Sequence, residues 1–377
     1  MGVSLDGPVY YTISKEEGLA YKNTLNHAKN SIDNTIRKAN ENNLKGLDAL
    51  LSVLSDLSKS DAPIIAGEEY VREEMKNLDY RLKDVEDAAN NEKIYGNINE
   101  TSSLGISISA AINNVIKPGE NVHIKSIKPV DNLFYNLRNA EGHVDIAGNY
   151  LGEHAVNSKV YARKAGNHVG NKIVNSELHV YKAGNYLAEG TTGSKIYVLE
   201  AGDLLGDGSE GSIIFAKRAG RSAGIEIKNS KLYVDKAGYG FAHYARGSEI
   251  HFNEVGDNAA NDIAKCNVYG RKAGKKFGKE AGSSKMYVDE IGDDSCSGMA
   301  YSELHFKKIN GKLGRSYNYF DYFDLQGTDI PLVGKAHPSN NKVYKNRLLY
   351  LPYEVKKPFA NLWRLYYNLK SPFEWHC

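Results

Sequence analysis

Between residues 141 and 305 four histidines each stand two residues after a glutamate, in the pairs Glu141/His143, Glu177/His179, Glu249/His251 and Glu303/His305. On one strand face a carboxylate at that spacing stabilises positive charge on the imidazole, and a row of such pairs is the raw material of a metal-binding strip. Eight serines, Ser158, Ser176, Ser194, Ser212, Ser230, Ser248, Ser284 and Ser302, recur on one 18-residue period. A serine nucleophile needs one positioned base and one oxyanion site. Eight equivalent copies privilege none, and hydroxyls bonding along a ladder explain them better. Cys266 occupies the same column and reads as an isosteric replacement.

The glutamate–histidine pairs belong to a larger pattern. Lys159, Lys195, Lys231 and Lys285 each precede a tyrosine by two residues, at Tyr161, Tyr197, Tyr233 and Tyr287. The ring column is therefore His143, Tyr161, His179, Tyr197, Phe215, Tyr233, His251, Tyr269, Tyr287 and His305, with Glu and Lys alternating along much of its flank. Alternation keeps like charges from meeting across adjacent strands. Three readings fit: a solvated cross-strand ladder, a stacking platform for sugars or bases, and an extended aromatic face for a partner. The candidate partner-binding residues are His143, Tyr161, His179, Tyr197, Tyr233, His251, Tyr269, Tyr287 and His305. Lysine/tyrosine rungs separate most Glu/His pairs, which counts against a metal strip, and no catalytic, cofactor-binding or metal-ligating residue is assigned.

Columns of this kind require a repeat. Nine glycines from Gly148 to Gly292 keep the same 18-residue period without a slip. One apolar column runs Val160, Leu178, Ile196, Ile214 and Leu232, and a second lies two residues later at Ala162, Val180, Val198, Ala216 and Val234. That period of two marks a strand with one buried face. A coil this short cannot bury such a face alone, so neighbouring coils must stack. The column glycines are expected where the backbone turns tightly with positive φ. The fold class expected is mainly β: a right-handed parallel β-helix of 18-residue coils, with an N-terminal α-helical module and a C-terminal cap. Its domains are a helical module over 1–100, the β-helix over 101–316 with clear repeats over 139–314, and an aromatic-rich cap over 317–377. Ile106, Ile108, Ala111 and Val115 already fall in the phase of the coils.

The pattern A-G-x-x-x-G followed by S-x-I-Y-V, seen in SKIYVLEAGDLLGDG from Ser194 to Gly208, resembles the GXGXG repeat. That repeat occurs in the C-terminal domain of the glutamate synthase large subunit and in one component of formylmethanofuran dehydrogenase. The resemblance covers about half the chain and implies a right-handed parallel β-helix acting as a scaffold beside catalytic neighbours. This chain has Ser where the family tends to have Gly before the strand, and it carries no recognisable glutamine-hydrolysing, flavin or metal-cofactor domain.

Elsewhere the residues are less specific. Ser14 and Glu17 form a capping box. Tyr21, Leu25, Ala28, Ile32 and Ile36 make one helical stripe, Leu44 to Leu57 a second helix, and Val71, Met75, Leu78, Leu82, Val85 and Ala89 a third with a coiled-coil-like seam. Those helices either pack on themselves or the solenoid end, or provide an oligomerisation or partner-docking module. Near the C-terminus, residues 354–370 read as an amphipathic helix closing the last coil.

Lys plus Arg is 48 against Asp plus Glu 46, a balance too neutral for a nucleic-acid binder. The three cysteines form no C-x-x-C pair, no apolar run approaches a membrane span, and the N-terminus lacks a secretory pattern. A cytoplasmic protein without cofactor is expected. Its expected role is a non-catalytic scaffold that binds protein partners, or forms a homo-oligomer through the N-terminal helices. The alternatives are an accessory subunit of a redox or amidotransfer complex, and a glycan-binding or glycan-active β-helix protein.

Overall fold

A computed structural model describes residues 15–95, 101–126, 128–315, 323–326, 332–333 and 341–345. Ser14, the amphipathic segment 354–370 and Cys377 lie outside the described residues.

Eleven parallel strands stack in chain order: β1 (Asn121–Ile124), β2 (Glu141–Ile146), β3 (Lys159–Lys164), β4 (Glu177–Lys182), β5 (Lys195–Glu200), β6 (Ile213–Arg218), β7 (Lys231–Ala237), β8 (Glu249–Val255), β9 (Asn267–Ala273), β10 (Lys285–Gly292) and β11 (Glu303–Asn310). From β2 onward each residue pairs with its equivalent one coil on, as Val160 with Leu178 and Leu178 with Ile196. The chain is a parallel β-solenoid, and its two apolar columns point inward, with Val180, Val198, Ile214 and Val234 at 0–1% exposure. A second, one-residue line of parallel bridges runs from Arg138–Val156 through to Gly282–Ala300 and closes each coil on its other side. Beyond β11 the sheet continues through β15 (Asn341–Lys345), which pairs with β11, and β13 (Phe323–Gln326), which pairs with β15; the short β12 (Leu313–Arg315) pairs with β14 (Leu332–Val333).

The column glycines correct one expectation. None from Gly148 to Gly292 has positive φ. They are glycines because successive coils touch there: a Cβ on Gly184 would sit 2.2 Å from Asn167 Oδ1 and 3.0 Å from the Gly166 carbonyl oxygen, and one on Gly292 would sit 2.5 Å from the Gly274 carbonyl carbon. Left-handed backbone falls elsewhere, at four fixed places per coil, as at Tyr150, Gly152, His154 and Asn157 or at His168, Gly170, Lys172 and Asn175. Most of these residues are not glycine. The alternation lets N–H groups point to both neighbours in turn: Tyr150 donates to Asn167 of the next coil and Gly152 to Leu133 of the previous one. That pairing offsets the cost of left-handed backbone.

Among the described residues six α-helices precede the solenoid: α1 (Lys15–Glu41), α2 (Gly46–Leu57), α3 (Ala62–Ala66), α4 (Glu68–Met75), α5 (Leu82–Ala89) and α6 (Thr101–Val115). The seam expected on one long third helix is divided between α4 and α5, and Val71, Met75, Val85 and Ala89 are fully buried within the chain. Segment 101–115, expected in the phase of the coils, is helical. Every residue from Ser103 to Ile112 is buried, so α6 shows no exposed face from which its period could be read. Repeat phase resumes at β1, where Asn121 pairs with Glu141, two residues outside the 18-residue interval.

The helices close the end of the solenoid. Glu86 of α5 and Asn90, which follows its last residue, accept the edge N–H groups of His123 and Lys125 at 2.8 and 2.6 Å. An open strand edge would otherwise template further pairing. The carboxylate of Glu68, which is 4% exposed, accepts from Asn113 of α6 at 3.0 Å and from Asn136 of the first coil at 3.2 Å, pinning module to solenoid.

Candidate functional site: the aromatic ladder

The ring column forms one continuous stack. Beginning at His123 of β1, which the sequence pattern missed behind the two-residue offset, eleven rings follow one another to His305. Centroid separations run from 4.4 Å for His123–His143 to 5.4 Å for Tyr269–Tyr287, and interplanar angles from 4° for His143–Tyr161 to 16° for His179–Tyr197. Parallel strands in register place equivalent side chains one strand spacing apart, close to the thickness at which rings stack. All nine candidate residues lie in this one stack, together with Phe215.

Stacking changes the chemistry expected of them. The ladder is solvated only in part: Tyr233, His179, His251 and His305 are buried, while His143, Tyr161, Tyr197, Phe215, Tyr269 and Tyr287 are half-buried and His123 is exposed. Each ring covers its neighbours' faces, so inside the ladder no face is left for a sugar or base. Each histidine Nε2 meets the glutamate two residues before it, at 2.7 Å for His143–Glu141, 3.5 Å for His179–Glu177, 2.6 Å for His251–Glu249 and 2.5 Å for His305–Glu303. The carboxylates do not win, contrary to the charge stabilisation expected from sequence. Burial holds His143, His179 and His251 below the usual imidazole value, outweighing the hydrogen bond each donates to its glutamate. Among the described residues the buried Nδ1 atoms of His179 and His251 have no hydrogen-bond partner, so a second ring proton would be an unpaired buried donor. Both imidazoles are therefore neutral, donating from Nε2. Tyr161, half-buried and flanked by Glu141 and Glu177, has its phenol pushed up to about 12, first by burial and then by those charges.

Charged rows border the stack. Lys159 meets Glu141 at 3.8 Å, Lys195 meets Glu177 at 3.4 Å and Lys231 meets Glu249 at 3.3 Å, with the lysine side chains about half exposed. The other flank carries Asp145, Arg163, Tyr181, Leu199, Lys217, Asp235, Asn253, Arg271, Asp289 and Lys307, where Arg163 holds Asp145 through two hydrogen bonds of 2.5 and 3.0 Å. The charge pattern lapses at Asn267 of the Glu/Lys row, at Tyr181 and Asn253 of the other flank, and on both rows together at the middle. Ile213 interrupts the Glu/Lys row and Phe215 the Tyr/His row on the same strand, with Tyr197 and Leu199 beside them on β5, all of them half-buried.

The serine column is spent on structure. Ser176 N–H donates to Ser194 Oγ at 3.2 Å, Ser194 N–H to Ser212 Oγ at 3.2 Å, and each hydroxyl returns a bond to the carbonyl two residues earlier, as Ser194 to Thr192 at 2.9 Å. Cys266 takes part in kind, donating from Sγ to Ala264 at 3.3 Å, and burial raises its pKa above the usual thiol value. A further column escaped the sequence reading: Asp131, Asn149, Asn167, Asn185, Asp203 and Asp257 each present Oδ1 to the backbone N–H one coil on, at 2.6–2.9 Å. Its signal was the Asn or Asp directly following most column glycines.

Among the described residues, no three His, Cys, Asp or Glu side chains converge as metal ligands, and no helix is long and apolar enough to cross a membrane. Comparison with family models, curated proteins and solved structures finds no match for this chain.

Proposed function

We propose that this chain is a non-catalytic scaffold that docks protein partners on the ladder face of its solenoid. The observation that carries the reading is the half-buried apolar centre at Tyr197, Leu199, Ile213 and Phe215, set inside rows of charge. Protein interfaces share that anatomy of apolar, aromatic core and polar rim. Rings already ordered by stacking lose little rotamer freedom on binding, which favours affinity. The serine hydroxyls and the imidazole protons are engaged within the fold, which supports a binding role over a catalytic one. Leu19 and Tyr21, 60% and 66% exposed near the start of α1, support a second contact on the helical module. Cytoplasmic residence belongs to the same proposal and rests on Cys266 being a buried thiol outside any disulfide.

The A-G-x-x-x-G coils favour a second reading, kinship with the GXGXG-repeat proteins and service as an accessory subunit beside a redox or amidotransfer enzyme. A large enzyme recovered in constant ratio with the chain would select it.

The experiment is a quantitative pull-down with the native chain and with the Ile213→Lys/Phe215→Lys variant. Loss of specific partners, with circular dichroism and melting unchanged, supports the reading. Identical capture by both proteins removes it.

A further inference from the structure

We propose that the occupant of the ladder face is a second copy of this chain, laid face to face with its coil order reversed. The two-fold axis runs parallel to the strands, between β5 and β6. The inference rests on reading this face as a docking surface, and adds who docks there.

Charge complementarity carries it. Rotation about that axis keeps each column opposite itself and sets β5 against β6, β4 against β7, β3 against β8 and β2 against β9. Glu177 then faces the partner's Lys231, and Lys159 the partner's Glu249. On the other flank Asp145 faces the partner's Arg271. In the next row Lys164 faces the partner's Glu254 and Glu200 the partner's Arg218, with Lys182 against the partner's Lys236 the one clash. At the axis, Phe215 and Ile213 of each copy meet Tyr197 and Lys195 of the other, so the two apolar centres coincide.

Other alignments fail on the same rows. Centring the axis on β6 sets Lys195 against the partner's Lys231 and Glu177 against the partner's Glu249. Sliding to between β4 and β5 opposes Asp145 to the partner's Asp235 and Arg163 to the partner's Lys217. Sliding to between β6 and β7 opposes Glu141 to the partner's Glu303 and Lys159 to the partner's Lys285. Turning the axis along the solenoid sets Glu141 against the partner's Asp145 and Lys159 against the partner's Arg163. Like charges brought together across an interface cost several kcal/mol in general, so this sequence selects one alignment.

The area suffices. Strands β2 to β9 span about 34 Å at ~4.8 Å per coil, and six-residue strands give a width of about 20 Å. That footprint of about 700 Å² per copy is close to the ~800 Å² per partner of stable interfaces, and the contact is isologous.

Sedimentation of the full chain tests this. A dimer with a Kd of about 100 µM or tighter is expected, weakened at least about tenfold by Phe215→Lys or by Glu177→Lys. The double variant Glu177→Lys/Lys231→Glu keeps both intrachain mismatches, with Lys195 and with Glu249, yet restores the contact across copies. Recovery of the dimer in the double variant therefore reports the interface and not the fold. A native monomer, a dimer indifferent to these variants, or a double variant no better than the single would overturn the inference. A native monomer that still captures other proteins through Phe215 leaves the docking reading standing, whereas indifference of both dimer and capture removes the two together.

Discussion

His251 and Glu249 share a hydrogen bond of 2.6 Å on a strand where the imidazole side chain is 3% exposed, and yet the ring's affinity for a second proton is below the ordinary value. Desolvation by the stacked Tyr233 and Tyr269 rings exceeds what one half-exposed carboxylate returns.

A pH dependence follows from that balance. The unfolded chain's histidines titrate near 6.5, while the ladder's His143, His179 and His251 titrate lower. The unfolded state therefore binds protons first, so stability contributed by these rings is complete above pH 6.5 and declines as pH falls through the folded values. Urea melts at pH 7.5 and 5.5 should show a lower midpoint in acid, less so in His179→Gln/His251→Gln. Imidazole NMR titrations with midpoints above 6.5 would defeat this expectation.

Gly184→Ala should cost about 1–3 kcal/mol through overpacking, although its φ is unremarkable, because the methyl meets Asn167 Oδ1 at 2.2 Å. Alanine at Gly190, which has φ +62° and only the Lys172 Cγ at 3.6 Å, should cost about 1 kcal/mol from backbone strain alone. Chemical denaturation of both variants decides the order, and equal costs would refute the close-contact account.

Ser194→Ala should cost about 1–3 kcal/mol by leaving the buried Ser176 N–H without its acceptor. Ser194→Cys should cost less, since Cys266 already serves in this column. Should alanine and cysteine prove equally harmless, the hydroxyl ladder contributes nothing.

Glu68→Ala should loosen the helical module from the first coil, costing about 1.5–3 kcal/mol for hydrogen bonds to a charged group. Hydrogen exchange should then rise at β1, where Glu86 and Asn90 cover the strand edge. Protection at His123 and Lys125 equal to that of the native chain would mean Glu68 does not hold the cap.

Much of the solenoid was legible because a repeat averages away local ambiguity. A buried column such as Val160, Leu178 and Ile196 states the same fact once per coil. The legible part of the site was the membership of its columns; their burial was not. Stacking one ring on the next is a property of neighbours a whole coil apart in the chain, so nothing at His251 alone announces that it is hidden. The start of the solenoid was misread because α6 is buried on all sides, and its Ile106 and Ile108 mimic a strand's alternation. The glycine column was recognised for the wrong physical reason, since tight turning and close stacking leave the same residue behind. His123 was lost to a two-residue offset that the sheet absorbs between β1 and β2.

That offset has a counterpart in the rest of the rod. From β2 to β11 the strand register pairs each residue with its equivalent one coil on, so the protein behaves as a ruler whose unit is a single coil. Removing one whole unit, for instance by joining Ser194 directly to Ile213, would rejoin like to like in every row and leave a shorter rod, while removing half a unit would misalign them all. Length is thus an adjustable property of this architecture, set by copy number and not by redesign.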